Sequence, residues 1–163
     1  MSARPLRAPA PVLALAVALT LTACAPAGSG VPRDALGRVT ESARTSAWAL
    51  AVGDCTAALD ATGTLETVDV VPCEAPHAFE VFSSRTMTEP TFPGLDQTDD
   101  LAARECRSAF TAFVGVPPDR SRYTVLFLHP TQRSWDEQTD RELLCLAGRS
   151  SGGVTGSLKD VEE

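Results

Sequence analysis

The chain has 163 residues, 44% of them hydrophobic, and a formal net charge of −7. That acidic balance works against a nucleic-acid partner and against lying flat on anionic lipid headgroups. Nothing after the first two dozen residues is long and apolar enough to span a bilayer.

Arg4 and Arg7 precede Pro11 to Leu21, an uncharged run of signal-peptide length, and Leu21-Thr22-Ala23-Cys24 closes it. Leucine, two small or hydroxylated residues and a cysteine form the layout of a bacterial lipoprotein signal. The expected leader is 1–23, with Cys24 lipidated and the remainder held on the extracytoplasmic face of the cell membrane. Palmitate-type acyl chains would be the anchor, and more than one chain is needed for stable attachment. Losing Arg4 and Arg7 with the leader takes the formal balance from −7 to −9.

Residues 24–46 lack an apolar period and read as a lipidated N-terminus with a flexible linker reaching about 25 Å. One domain is expected over 47–148, and 149–163 reads as a disordered acidic tail. Within the domain, Trp48 to Val52 predicts a strand ending at the turn Gly53-Asp54. Glu66 to Val71 alternates and predicts a second strand, and Phe79 to Phe82 a third. Thr88 to Asp96 carries Pro90, Pro93 and Gly94 and reads as a loop. Asp99 to Val114 predicts the main helix, capped by Thr98 and stopped by Gly115. Its positions Ala102, Cys106, Ala109, Phe110 and Phe113 form one apolar face. Tyr123 to Leu128 and Leu143 to Leu146 predict two more strands around a turn or short helix at Trp135. The fold class expected is α+β, a small antiparallel sheet with one main helix packed on a face.

A domain of this size has a marginal core, and Cys55, Cys73, Cys106 and Cys145 offer help as two disulfides. Three pairings are possible. Joining neighbours in sequence gives Cys55–Cys73 and Cys106–Cys145, the second pinning the helix to the sheet. Zinc is the competing reading, disfavoured because none of the four lies in a Cys-x-x-Cys pair.

His77 and His129 are the only histidines. His77 with Glu80 could be a base and its orienter, or two metal ligands. Alternatively, His77 bonds a backbone carbonyl at the entry to a strand, and an extended 77–80 would send the two side chains to opposite faces. Asp54 reads as an acceptor of backbone hydrogen bonds, and Asp140-Arg141 as an ion pair. No nucleophile motif and no phosphate-binding loop occurs, so no catalytic residue and no cofactor is assigned. Trp48 and Trp135 read as core. Either one exposed beside Phe92 would make an aromatic binding patch.

Val52-Gly53-Asp54-Cys55, Val70-Val71-Pro72-Cys73-x-x-Pro76-His77-x-x-Glu80-Val81 and Phe92-Pro93-Gly94 resemble the septum formation domain of actinobacterial surface proteins. Cys106-x-x-x-Phe110-x-x-Phe113-Val114-Gly115, Pro130, Trp135, Asp140-Arg141 and Cys145 continue the resemblance, which spans Leu50 to Cys145. The chain departs from the family in having Thr139 where a glycine tends to precede Asp-Arg. It also departs in looking lipidated where many members carry a membrane-spanning helix. The resemblance supports two disulfides, makes His77 a motif residue, and implies envelope or cell-division work without a catalytic mechanism.

The leading expectation is therefore a non-enzymatic envelope lipoprotein that binds or adapts a division or wall-assembly protein. His77, Glu80 and Trp135 are its candidate binding residues. Two alternatives stand beside it. One is a wall hydrolase working through His77 with Glu80 or Asp54, and the other a small-ligand receptor at Trp48 and Trp135.

Overall fold

A computed structural model describes residues 30–60 and 65–163. The leader 1–23, Cys24 and the residues up to 29 lie outside that description. Six strands pair throughout antiparallel: β1 Ala43–Ser46, β2 Cys55–Thr56, β3 Thr67–Val71, β4 Phe79–Thr86, β5 Thr124–Leu128 and β6 Glu142–Gly148. Their order across the curled sheet is β1-β3-β2-β4-β6-β5. Helix α1, Leu95–Val114, lies between β4 and β5, and the short helix α2, Gln132–Glu137, between β5 and β6. The α+β class is borne out.

Around β6 the sheet is apolar on both faces, which is why β6 reads as a continuous hydrophobic run, whereas β3 turns Thr67 and Asp69 to solvent. Leu143, Cys145 and Ala147 face α1 together with Val125, Phe127 and Phe82. Leu144 and Leu146 face the other way, into a second core with Val68, Val70, Phe79 and Val81. Helix α1 buries Ala102, Cys106, Phe110 and Val114, spaced by four, on the first face. Phe82 stacks on Phe113 with ring centroids 5.2 Å apart and meets Phe110 edge-on at 6.0 Å. Each fully buried side chain of that size contributes about 1.5–3 kcal/mol by transfer from water.

Both disulfides form with the pairing that joins sequence neighbours, Cys55–Cys73 and Cys106–Cys145. The first ties β2 to the turn after β3. The second ties α1 to β6 inside the first core. Chains β4 and β6 approach so closely at Phe79–Gly148 that a Cβ on Gly148 would lie 1.9 Å from the Ala78 carbonyl oxygen.

Several sequence expectations need correction. The strand expected over 48–52 is absent. Ala47–Ala49 is a turn of 3₁₀-helix, and the strand comes just before it, as β1. Ala47 and Leu50 are both buried, and a separation of three matches the 3₁₀ period. β1 escapes a periodicity search because its burial is partial and its register comes from β3, with Arg44 donating to Asp69 at 2.8 Å. The main helix starts four residues earlier than expected, after Gly94 at φ 97°. Thr98 is therefore not the cap. It is buried inside the first turn, where its hydroxyl donates to the Gly94 carbonyl at 2.8 Å.

The described part of the expected linker is folded. Val39 is buried in the second core, Arg33 bridges Val39, and β1 follows. The acidic tail is likewise packed. Val154 and Leu158 are buried against α1, with Val161 half-buried beside them. Backbone amides of Asp160 and Glu162 donate to the carbonyls of Phe113 and Val114, both at 2.8 Å. Those carbonyls are among the four that a helix leaves without internal partners at its C-terminal end. A Gly-Ser composition hides this, because the ordering forces are tertiary.

Candidate functional site

The His77 region is structural in its geometry. His77 is 3% exposed, and its Nδ1 lies 3.0 Å from the Ala75 carbonyl oxygen. Its backbone amide and carbonyl pair with Val154 of the C-terminal segment at 2.9 and 3.0 Å. Glu80, also buried, accepts from the Ser157 hydroxyl at 2.8 Å and from the Leu158 amide at 2.7 Å. The carboxylate thus fastens the C-terminal segment and does not orient the imidazole. Asp54 is fully buried and accepts both guanidinium nitrogens of Arg33, at 2.5 and 2.8 Å, besides the Ala51 amide at 2.9 Å. The hydrogen bond to Asp54 raises the Arg33 pKa further above its usual range. Of the three side chains expected in a hydrolytic site, Glu80 and Asp54 hold separate segments together, whereas the His77 ring bonds only the nearby Ala75 carbonyl, and its buried Nε2 has no partner among the described residues.

Trp135 is buried on α2, 3% exposed. The Arg141 guanidinium carbon sits 3.7 Å above its ring centroid, and the same side chain donates to the Trp135 carbonyl at 2.9 Å. Phe92 packs against the ring at 5.7 Å. Asp140 takes the Ser134 hydroxyl at 2.9 Å and the Glu142 amide at 3.2 Å. Asp140 and Arg141 therefore do not form the expected ion pair with each other. One closes the end of α2 and the other covers Trp135.

The open feature lies on the sheet face away from α1. A cleft of about 690 Å³ runs between the two ends of the curled sheet. Trp48 and Ala47 form one wall, Leu59 and Leu65 a second, and Leu126, Leu128 and Leu144 the floor. Leu126 and Leu128 continue the second core into solvent, half-buried. Arg133 of α2 reaches across to Glu66 at 2.8 Å and also holds Glu137 at 3.1 Å. Trp135 does not line the cleft, so Trp48 and Trp135 do not share a patch.

The charged groups around the cleft already have partners. Asp140 is bonded to Ser134, and Glu142 accepts the hydroxyls of Ser84 and Thr86. His129 meets Asp99 at 2.7 Å, a pair that is ionic only when the imidazole is protonated. What the cleft leaves unsatisfied is apolar surface, and its volume falls in the range of small-molecule and peptide-anchor sites. Sequence reading missed it because Leu59, Leu65, Leu126 and Leu128 lie in no motif. The one available signal was β5, whose unbroken Val125-Leu126-Phe127-Leu128 run means apolar side chains on both faces.

A disulfide-stapled α+β module with an apolar, charge-rimmed cleft is thus the class of protein that the fold and site define. The septum formation family matches residues 33–161, and the chain belongs to that family. The match begins at Arg33 and ends at Val161, taking in both segments that composition alone makes look disordered. Among curated proteins, the chain is 29% identical over 133 residues to a membrane protein of Mycobacterium tuberculosis. That alignment takes 70% of this chain but spans only 28% of the relative's length. It is 30% identical over 124 residues to a Mycobacterium tuberculosis protein carrying the name lipoprotein LppN, covering 73% of this chain and 68% of that one. No solved structure matches it. Among the described residues, no helix is long and apolar enough to cross a membrane.

Proposed function

We propose that this chain is a lipid-anchored, extracytoplasmic binding or adaptor domain of the cell envelope, attached through Cys24 and acting in septum or wall assembly. Family membership supports the envelope role, and a relative named as a lipoprotein supports the anchor. Two disulfides suit an oxidising compartment. The observation that carries the binding reading is the cleft. Its apolar floor is open while its charged rim, and the Glu80 and Asp54 side chains elsewhere, are already engaged. The septum formation family is not a known enzyme family, which favours binding over hydrolysis. A division or wall-synthesis protein presenting an apolar side chain or short segment is the partner proposed.

The test is photo-crosslinking in the native cells from position 128, in the cleft, and from position 107, exposed on α1. Capture of division or wall-synthesis proteins from 128 but not 107, lost in Cys24→Ala, supports the reading. Equal capture from both positions overturns the cleft as the contact site. A specific low-mass adduct at 128 would instead make this a small-ligand receptor.

A further inference from the structure

We infer that the turns bearing Leu36 and Val52 form a membrane-contact face, apposed to the lipid bilayer that holds the anchor; this rests on the proposed lipidation of Cys24. Among the described residues, three large hydrophobic side chains are strongly exposed, Leu36 at 79%, Val52 at 57% and Leu95 at 54%. Two of these three sit on neighbouring turns. Arg33 Nη1 donates to the Gly37 carbonyl at 2.8 Å and to Asp54 Oδ1 at 2.5 Å. A single nitrogen therefore clamps the carbonyl next to Leu36 to the turn that carries Val52.

Both turns are rigid. Asp34 accepts the amides of Leu36 and Arg38, each at 2.9 Å, and the Arg38 guanidinium at 2.8 Å. The Gly37 amide closes the turn on the Asp34 carbonyl at 3.0 Å. In the second turn, Asp54 N donates to the Ala51 carbonyl at 3.0 Å, with Gly53 at φ 92° behind Val52. The charged groups named are paired within a turn or between the two turns. The aliphatic tips are left outward with Ala35 and Ala51 beside them, also exposed.

The chain's path selects lipid as the occupant. Thr40 N donates to the Pro32 carbonyl at 3.0 Å, so the fold begins by Pro32, eight residues after Cys24. Fully extended, eight residues span at most about 30 Å. The expected linker over 24–46 is not available at its full length, because residues from Pro32 onward belong to the domain. An acylated Cys24 sits at the interface, so the first described turn is the part of the domain held nearest to it. The charges here are paired, Arg33 with Asp54 and Arg38 with Asp34, with Glu74 also facing Arg38. This face therefore lacks the strong negative charge that the rest of the domain would turn toward anionic headgroups. Two aliphatic tips on a near-neutral, rigid support suit shallow insertion at the headgroup–acyl boundary.

The test uses the acylated, full mature chain in vesicles of phosphatidylethanolamine and phosphatidylglycerol. With four cysteines in disulfides and Cys24 acylated, an introduced cysteine is the sole free thiol for a spin label. Labels at Leu36→Cys and Val52→Cys should show several-fold higher collision with oxygen relative to a water-soluble nickel chelate than Thr111→Cys on exposed α1. Labels at 36 and 52 as aqueous as the one at 111, on protein that floats with the vesicles, overturn the membrane face and leave the anchor intact. Failure to float overturns the anchor instead. In that case a histidine tag replacing the residues up to Cys24, bound to nickel-chelating lipid, fixes the same spacing, and the same comparison of labels decides the face.

Discussion

Thr139 occupies the position where the family tends to have glycine, and the structure supplies the reason for that glycine. The residue follows α2 with φ at 54°, in the left-handed region, while Gln138 N and Asp140 N both return to the Ser134 carbonyl at 2.9 and 3.1 Å. This is the helix-terminating site at which a residue without a Cβ is favoured. A non-glycine residue there costs about 1–2 kcal/mol, with a β-branched one at the upper end. Replacement by glycine removes that cost but widens the unfolded ensemble, giving back about 0.5–1 kcal/mol. The exposed bond from Thr139 Oγ1 to its neighbour's carbonyl adds little. Thr139→Gly should therefore stabilise by about 0.5–1 kcal/mol, raising the melting midpoint by about 2–4 °C for a domain of this size. Thr139→Ala keeps a Cβ and most of the left-handed cost, so its midpoint should rise less than that of the glycine variant. Calorimetric melts of the three proteins decide the matter. A glycine variant no more stable than the alanine variant would refute the account, because the two differ chiefly in the left-handed cost.

The other predictions concern how the domain is held together. Loops of 18 and 39 residues close through Cys55–Cys73 and Cys106–Cys145, and chain-entropy arithmetic gives upper contributions of about 3 and 4 kcal/mol. Full reduction should accordingly lower the urea midpoint steeply, and an unchanged midpoint counts against both bonds as stabilisers. Gly148→Ala pushes a methyl group into the Ala78 carbonyl and should cost at least about 3 kcal/mol, read as loss of folded protein or a collapsed melt. Glu80→Gln removes the charge and leaves one carbonyl oxygen where two carboxylate oxygens accepted from the Ser157 hydroxyl and the Leu158 amide, which weakens the fastening. Hydrogen exchange should then speed up at Val154 to Leu158 before it does in β6, and unaltered protection there would mean the carboxylate does not fasten the segment.

Local pattern made some elements legible and left others hidden. Helix α1 was legible because an apolar face repeats from Ala102 to Val114 and Gly115, at φ 98°, ends it. β3 was legible from alternation bounded by turn residues, and β4 from its Phe-Glu-Val-Phe run. The cysteine framework was legible because four thiols in a small domain read as exported have few alternatives. The segments at 30–46 and 149–163 were hidden for a common reason. Each contributes only a few apolar side chains, Val39 from one and Val154 and Leu158 from the other, and these are too sparse to define a period. Long-range pairings hold them, among them β1 with β3 and Arg33 with Asp54 for the first, and Val154 with His77 and Leu158 with Glu80 for the second. Of the candidate binding residues, His77, Glu80 and Trp135 stood out because they are motif residues, and the structure uses each in packing.

That last point bears on where function resides. The residues that carry the family resemblance are engaged in the scaffold: Asp54 with Arg33, Glu80 with the C-terminal segment, Arg141 over Trp135, Phe92 against Trp135, and four cysteines in two bonds. The cleft draws its open apolar surface from Leu59, Leu65, Leu126 and Leu128, which lie outside those motifs. A scaffold and a recognition surface written in separate residues should be separable by mutation. Leu128→Asp puts a charge at a half-buried position at the open end of β5. Its cost in stability should stay near 1 kcal/mol, the ordinary scale for a position outside the core. Crosslinking from a probe at position 126 should nonetheless be lost. Glu80→Gln should do the reverse, lowering stability while the folded fraction still crosslinks. If Leu128→Asp crosslinks as well as the parent, the cleft is not the contact surface, and the apolar residues of β5 serve only to extend the second core.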